Sequence, residues 1–146
     1  MNGRTTGAVL VLLAAASAAT AALGATFEVK MLNRGAGGAM VFEPDHLRIA
    51  PGDSVRFVPT HSSHNAASMP SLLPAGAEPF KSQISQPFVH RFAVPGLYGI
   101  QCIPHLGMGM VMLIQVGAAQ AKAPALPADL PARAASRLQH QLQALK

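Results

Sequence analysis

The chain has 146 residues, enough for one domain with its own core and too few for two ordinary ones. Charged residues make up 12% and apolar residues 50%, with a formal net charge of +5. The basic residues Lys30, Arg34, Arg48, Arg56, Lys81 and Arg91 stand singly and tryptophan is absent, which excludes a nucleic-acid stripe with interleaved aromatics and suits an acidic protein partner.

Residues 1–24 read as a secretory signal. Arg4 supplies the positive start, "AVLVLLAAASAATAAL" the apolar stretch, and Ala22 and Gly24 the small residues before a cut beside Ala25. The apolar run is shorter than the roughly 20 residues of a spanning helix, and no later run is long enough. The expectation is an exported protein that does not insert in the membrane once the signal is removed.

From Thr26 the pattern turns strand-like. "TFEVKML" sets Phe27, Val29 and Met31 against Glu28 and Lys30, the period of two of a half-buried strand. "HLRIA" and "VRFVP" read as short strands parted by a Pro-Gly-Asp turn. Residues 66–86 read as a long connection with only a turn of helix. "PFVHRFAV" then alternates Phe88, His90 and Phe92 with Val89 and Arg91, and Pro95-Gly96 parts it from "LYGIQC". "MVMLIQV" closes the series as a buried strand. Short strands without a helical period predict an all-β, antiparallel sandwich or barrel over 25–117.

Residues 118–146 predict an Ala/Pro linker over 118–128 and then a helix capped by Asp129, with Pro131 in its first turn. Leu130, Ala134, Leu138, Leu142 and Leu145 form one apolar stripe, which predicts packing on the outside of the sandwich.

Cys102 is the one cysteine of a chain bound for an oxidising compartment, so it has no internal disulfide partner. "YGIQCIPHLGMGMVM" places His105 three residues beyond it, Met108 six and Met110 eight, and "THSSHNAAS" adds His64 from another strand connection. One thiolate, two imidazoles and one thioether are the donors of a type 1 copper site, with the thioether long and weak. His61 is the rival of His64, but only His64 is followed by an asparagine able to tie the two loops together. Arg34 and Lys81 read as solvated charges; His46, His90 and His140 read as surface or packing residues.

With those motifs in place, the chain resembles the cupredoxins from about Thr26 to Val116, and among them the pseudoazurins. "MLNRGAGGAMVFEP", "PGDSVRFVP", "HNAAS", "PAGAEPFKS" and "YGIQCIPHLGMGM" follow the order of their segments. The resemblance implies a Greek-key, eight-stranded β-sandwich with a C-terminal helical extension. It also implies one copper ion on His64, Cys102, His105 and Met110, favouring Met110 over Met108 as the axial ligand. Pseudoazurins are periplasmic electron carriers, several of them donors to nitrite reductase in denitrification. The implied protein is thus a monomeric carrier with transient redox partners, not an enzyme, and Arg34 and Lys81 would lie near its docking rim. Two departures stand out: Ser62 and Ser63 replace the Lys-Gly common before the first ligand histidine, and Gln101 replaces a common Lys before the cysteine.

A copper chaperone or storage protein is the alternative, but such proteins use Met-rich or His-rich tracts, and none occurs outside the loop. A multicopper oxidase domain would need His-Cys-His clusters that this sequence lacks.

Overall fold

The computed structural model describes residues 23–119 and 124–146. All but the last two residues of the signal expected over 1–24, and part of the linker expected over 118–128, therefore lie outside the described residues. Eight strands follow one another: β1 (Thr26–Gly35), β2 (Gly38–Glu43), β3 (His46–Ile49), β4 (Ser54–Val58), β5 (Ala67–Ser68), β6 (Phe88–Arg91), β7 (Gly96–Gln101) and β8 (Val111–Val116). One helix, α1 (Ala132–Ala144), comes last. No helix among the described residues is long and apolar enough to cross a membrane.

The strands form two four-stranded sheets, ordered β2-β1-β4-β6 and β3-β8-β7-β5. The sandwich expected from the alternating pattern is present, yet it is not wholly antiparallel. β1 lies parallel to β4 and β3 parallel to β8. The reason is connectivity: the chain leaves one sheet after β2, lays β3 in the other and returns for β4, so these strands find partners far away in sequence.

Between the sheets Val29, Met31, Phe42, Phe57, Phe92, Tyr98, Ile100, Met112 and Ile114 pack into one core. Aromatic pairs meet edge to face, Phe92 with Tyr98 at 5.0 Å and Phe42 with Phe57 at 6.2 Å, the geometry their ring quadrupoles favour. The Tyr98 hydroxyl donates to the Val94 carbonyl at 2.8 Å. Its buried polar end is thereby satisfied.

All six residues of β8 are buried, because its outward face meets a second cluster. There Ala134, Leu138 and Leu145 of the C-terminal segment pack on Met69, Leu72, Leu97, Val111 and Leu113, with Leu130 and Leu142 partly buried beside them. The predicted stripe thus does pack on the outside of the sandwich. The predicted cap does not hold. Pro131 occupies the residue before the helix with extended geometry (φ −53°, ψ 138°) and no side chain caps α1. A residue before proline is pushed out of the helical region, so Leu130 cannot extend the helix back towards Asp129. Within 66–86 the structure adds β5, too short to read from the sequence, beside the expected helical turn at Pro70–Leu72.

The Pro51-Gly52-Asp53 turn anchors the start of the chain. Asp53 is buried, and its two carboxylate oxygens accept the N–H groups of Ala25 and Ala50, each at 2.8 Å. Gly52 needs its positive φ of 96°. Asp53→Ala strands both donors, and hydrogen bonds to a charged group contribute about 1.5–3 kcal/mol each. Urea unfolding should show a loss of about 2–4 kcal/mol, with Asp53→Asn losing less.

Candidate metal centre

Nine residues, 102–110, connect β7 to β8, and backbone bonds cinch them into a ring. The Cys102 N–H donates to the Met110 carbonyl (3.0 Å), the His105 N–H to the Cys102 carbonyl (3.1 Å) and the Met110 N–H to the His105 carbonyl (3.2 Å). Pro104, whose fixed φ suits the first helical turn, starts a 3₁₀ segment over Ile103–Met108. Gly109 ends it in the left-handed conformation (φ 81°). The C-x2-H-x4-M spacing is therefore the spacing of one closed loop.

His64 enters from the connection after β4 and is fully buried. The Ser63 N–H donates to Ser85 Oγ, and the Ser85 N–H donates back to the His64 carbonyl, both at 2.8 Å. His64 Nε2 lies 2.8 Å from Asn33 Oδ1. An amide oxygen can only accept, so Nε2 carries the hydrogen and Nδ1 keeps its lone pair. Asn65 then joins the two loops, as the sequence suggested: its Oδ1 accepts the Ile103 N–H at 2.9 Å, and its Nδ2 donates to the Ser82 carbonyl at 3.3 Å.

These restraints bring three donor atoms together. His64 Nδ1 lies 3.1 Å from His105 Nδ1 and 3.7 Å from Cys102 Sγ, and His105 Nδ1 lies 3.4 Å from the same sulfur. The point equidistant from all three is about 2.0 Å from each, near the ~2.0–2.3 Å that imidazole and thiolate adopt around a first-row ion. Among the described residues no other trio of His, Cys, Asp or Glu converges in this way. Met110 is fully buried in the same ring, whereas Met108 is exposed.

Burial sets the electrostatics. It pushes the Cys102 thiol above its ordinary 9.0, against the opposing pull of the Asn65 and His105 backbone N–H groups. It also pulls His64 below 6.5, with the positive potentials of His105 and His61 acting the same way. Both groups are thus held neutral, and a bound cation reverses that preference for the thiol.

His61 is exposed, as expected, although its Nδ1 accepts the Asn33 N–H at 3.1 Å. His46 pairs with Asp45, and His90 stacks on Phe80 with ring centres 4.1 Å apart. Asn33 escaped sequence reading: it sits at an exposed strand position with nothing in its spacing to mark it.

A family model described as copper binding proteins of the plastocyanin/azurin family matches residues 29–117. A pseudoazurin from Paracoccus pantotrophus is 48% identical over 136 residues, covering 89% of this chain and 94% of its own. The chain belongs to the pseudoazurins, within the plastocyanin/azurin family. A putative pseudoazurin from Rhizobium leguminosarum is 50% identical over 74% of this chain and 72% of its own. The crystal structure of pseudoazurin from Methylobacterium extorquens superposes with a TM-score of 0.78 at 36% identity, over 83% of this chain and 99% of that one. The fold is therefore the cupredoxin sandwich, and copper is the cofactor of the family. The donor set fits it: a soft thiolate with two imidazoles suits copper better than the oxygen sites of harder ions.

Ser63 explains one departure from the family pattern. Its φ of 75° lies in the left-handed region, where glycine is unstrained and other residues lose about 1 kcal/mol or more. Ser63→Gly should raise stability by about 0.5–1 kcal/mol in urea unfolding, since the N–H bonded to Ser85 remains.

The pKa shifts give a pH dependence for the metal-free protein. His64 titrates lower in the folded than in the unfolded chain, so its contribution is complete above about pH 6.5 and is lost as pH falls through the lowered value. Cys102 titrates higher when folded, so its contribution is complete below about pH 9.0 and is lost as pH rises through the raised value. Melting curves across pH should show a plateau between these limits. His64→Gln should flatten the acid limb, leaving the part owed to His90, which burial also lowers; Cys102→Ser should flatten the alkaline limb, leaving the part owed to Tyr98, which burial also raises.

Proposed function

We propose that this chain carries single electrons on one copper ion held by His64, Cys102, His105 and Met110. Removal of residues 1–24 would deliver it to the periplasm as a monomeric carrier rather than an enzyme. Its partners are redox proteins, with nitrite reductase the candidate acceptor. The observation that supports the ligand assignment is the convergence of the three donors, maintained by bonds that owe nothing to a metal.

Copper supplies the one-electron change between its two common valences. The protein supplies a cage whose dimensions are already fixed. Asn33 sets the tautomer and plane of His64, Asn65 joins the two ligand loops, and the backbone ring sets Cys102, His105 and Met110 relative to one another. Cys102, His64 and Met110 are fully buried, which excludes water from the thiolate side. His105 is half-buried and is the one of the four residues with an edge towards solvent. Around it Ile103 and Met108 are 44% and 43% exposed. An apolar surface of this kind suits brief contacts, since transient redox interfaces are small and release quickly.

The test is addition of Cu(II) to the purified mature chain. An intense visible thiolate band and reversible one-electron voltammetry are expected, with the band abolished in Cys102→Ser. A colourless, redox-silent product overturns the reading, and colour without reversible cycling favours copper handling instead. Bleaching of the oxidised form on mixing with a reduced partner, and return of the colour when the reduced form gives its electron to a copper nitrite reductase, test the direction of transfer. The mass of the protein recovered from a periplasmic extract tests removal of residues 1–24.

A further inference from the structure

The last helix reaches back to the metal centre through one face. Arg133, Arg137 and Gln141 stand four residues apart on α1, a spacing that stacks them in a single row. Arg137 Nη1 donates to the Gly109 carbonyl and the Met40 carbonyl, both at 2.7 Å. Its Nη2 donates to the carbonyls of Ala39 (2.8 Å) and Gly37 (3.4 Å). Gln141 Nε2 donates to the Val111 carbonyl at 3.1 Å. Arg133 closes the row: a Cβ added to Gly109 would fall 2.8 Å from its Cγ. The residues on either side of Met110 are therefore each gripped by the same helix.

We infer that Arg137 and Gln141 are positioning residues that fix Met110 against the metal, making the C-terminal helix part of the copper site. The inference rests on the ligand assignment proposed above. Its physical basis is that a thioether would bind copper only weakly: such a bond could not hold its own length, so the surrounding chain would have to hold it. The loop's own hydrogen bonds tie Met110 to Cys102 and His105 by backbone alone. Arg137 adds an external reference, because its other carbonyls belong to the β1–β2 turn and the start of β2 in the opposite sheet.

The contacts are too selective for general helix docking. Among the described residues no carboxylate forms an ion pair with Arg137; its hydrogen bonds all go to peptide oxygens, and Asp45 acts on it only at longer range. A guanidinium fork can bind several carbonyls at fixed angles, which a lysine ammonium cannot reproduce. Gln141 is almost fully buried, and its Oε1 has no partner among the described residues. Its amide is therefore placed for what it gives to Val111, at the cost of an unsatisfied oxygen.

The experiment uses the whole mature chain with Arg137→Lys, Arg137→Met and Gln141→Leu, and Arg91→Met as control, since Arg91 holds a turn carbonyl elsewhere. In the metal-free protein, amide exchange at Gly109, Met110 and Val111 should rise at least tenfold in both Arg137 variants, with the β1 and β4 amides unchanged. With copper, the thiolate band should persist, while the intensity ratio of the two main visible bands and the reduction potential shift in both. Gln141→Leu should shift them in the same sense by less, and Arg91→Met should leave them alone. Faster exchange with an unmoved ratio and potential overturns the inference, leaving α1 a merely structural element. Restoration of both by Lys but not Met also overturns it, because charge rather than placement would then be responsible. Should an Arg137 variant fail to fold, Gln141→Leu decides by the same readouts. Absence of the band in the unaltered protein would instead sink the copper reading, while the metal-free exchange still reports on the grip.

Discussion

Three donor atoms held 3.1 to 3.7 Å apart can share little more than a weak thiol hydrogen bond in the absence of a cation. One S–H is too weak a donor to draw two imidazoles and a sulfur to a common point, and burial removes the water that would separate them. The arrangement exists because bonds outside the triangle impose it. The Asn33 amide oxygen takes the outer N–H of His64, Asn65 pins the Cys102 loop to the His64 loop, and the ring of three backbone bonds shapes that loop. The rest of the molecule can be read as the scaffold for these few restraints: β1 carries Asn33, β7 and β8 carry the loop, and β5 and the connection after it bring Ser82 and Ser85 under His64 and Asn65.

The same burial makes the site selective for its charge state. A thiol raised and an imidazole lowered describe a pocket that prefers neutral donors. Cys102 would give up its thiol proton to hold a copper ion as a thiolate, which would couple metal binding to pH. Desolvation that would be a liability in the empty protein strengthens the ion–thiolate attraction once the ion is present. Rigidity and dryness thus come from one source, the packing of Cys102, Met110 and Ile100 into the main core.

How legible was this in the amino-acid sequence? The Cys102–His105–Met110 spacing was readable because it is local: a closed nine-residue loop has little freedom in where its side chains fall. His64 was separable from His61 by the adjacent Asn65, whose amide does join the loops. Alternation exposed most strands, and the stripe on α1 exposed its packing face. What stayed hidden depends on topology. The parallel pairing of β1 with β4 and of β3 with β8 follows from where connections cross, which no window of sequence contains. Asn33 acts across 31 positions on His64. Gln141 lies inside an apolar stripe that reads as continuous without it. The misplaced cap at Asp129 has a local cause, the constraint that Pro131 puts on Leu130.

The departures in charge have a consequence for the proposed docking face. Ser62 and Gln101 are uncharged, and Ile103 and Met108 leave carbon exposed beside His105. Lys81 lines a shallow depression together with Ile84, Ile103 and Pro104, so one cation remains at the margin of an apolar surface. Charges at a rim govern how fast partners meet and how salt alters that rate, whereas the buried centre governs how long they stay. A surface weighted to the second of these trades long-range steering for tolerance of ionic strength, because apolar contact is not screened. The closed cage and this face are then complementary. On the proposed assignment, a cage held by bonds outside the donor triangle would let transfer proceed without ligand movement, so that a brief apolar encounter over His105 would be sufficient.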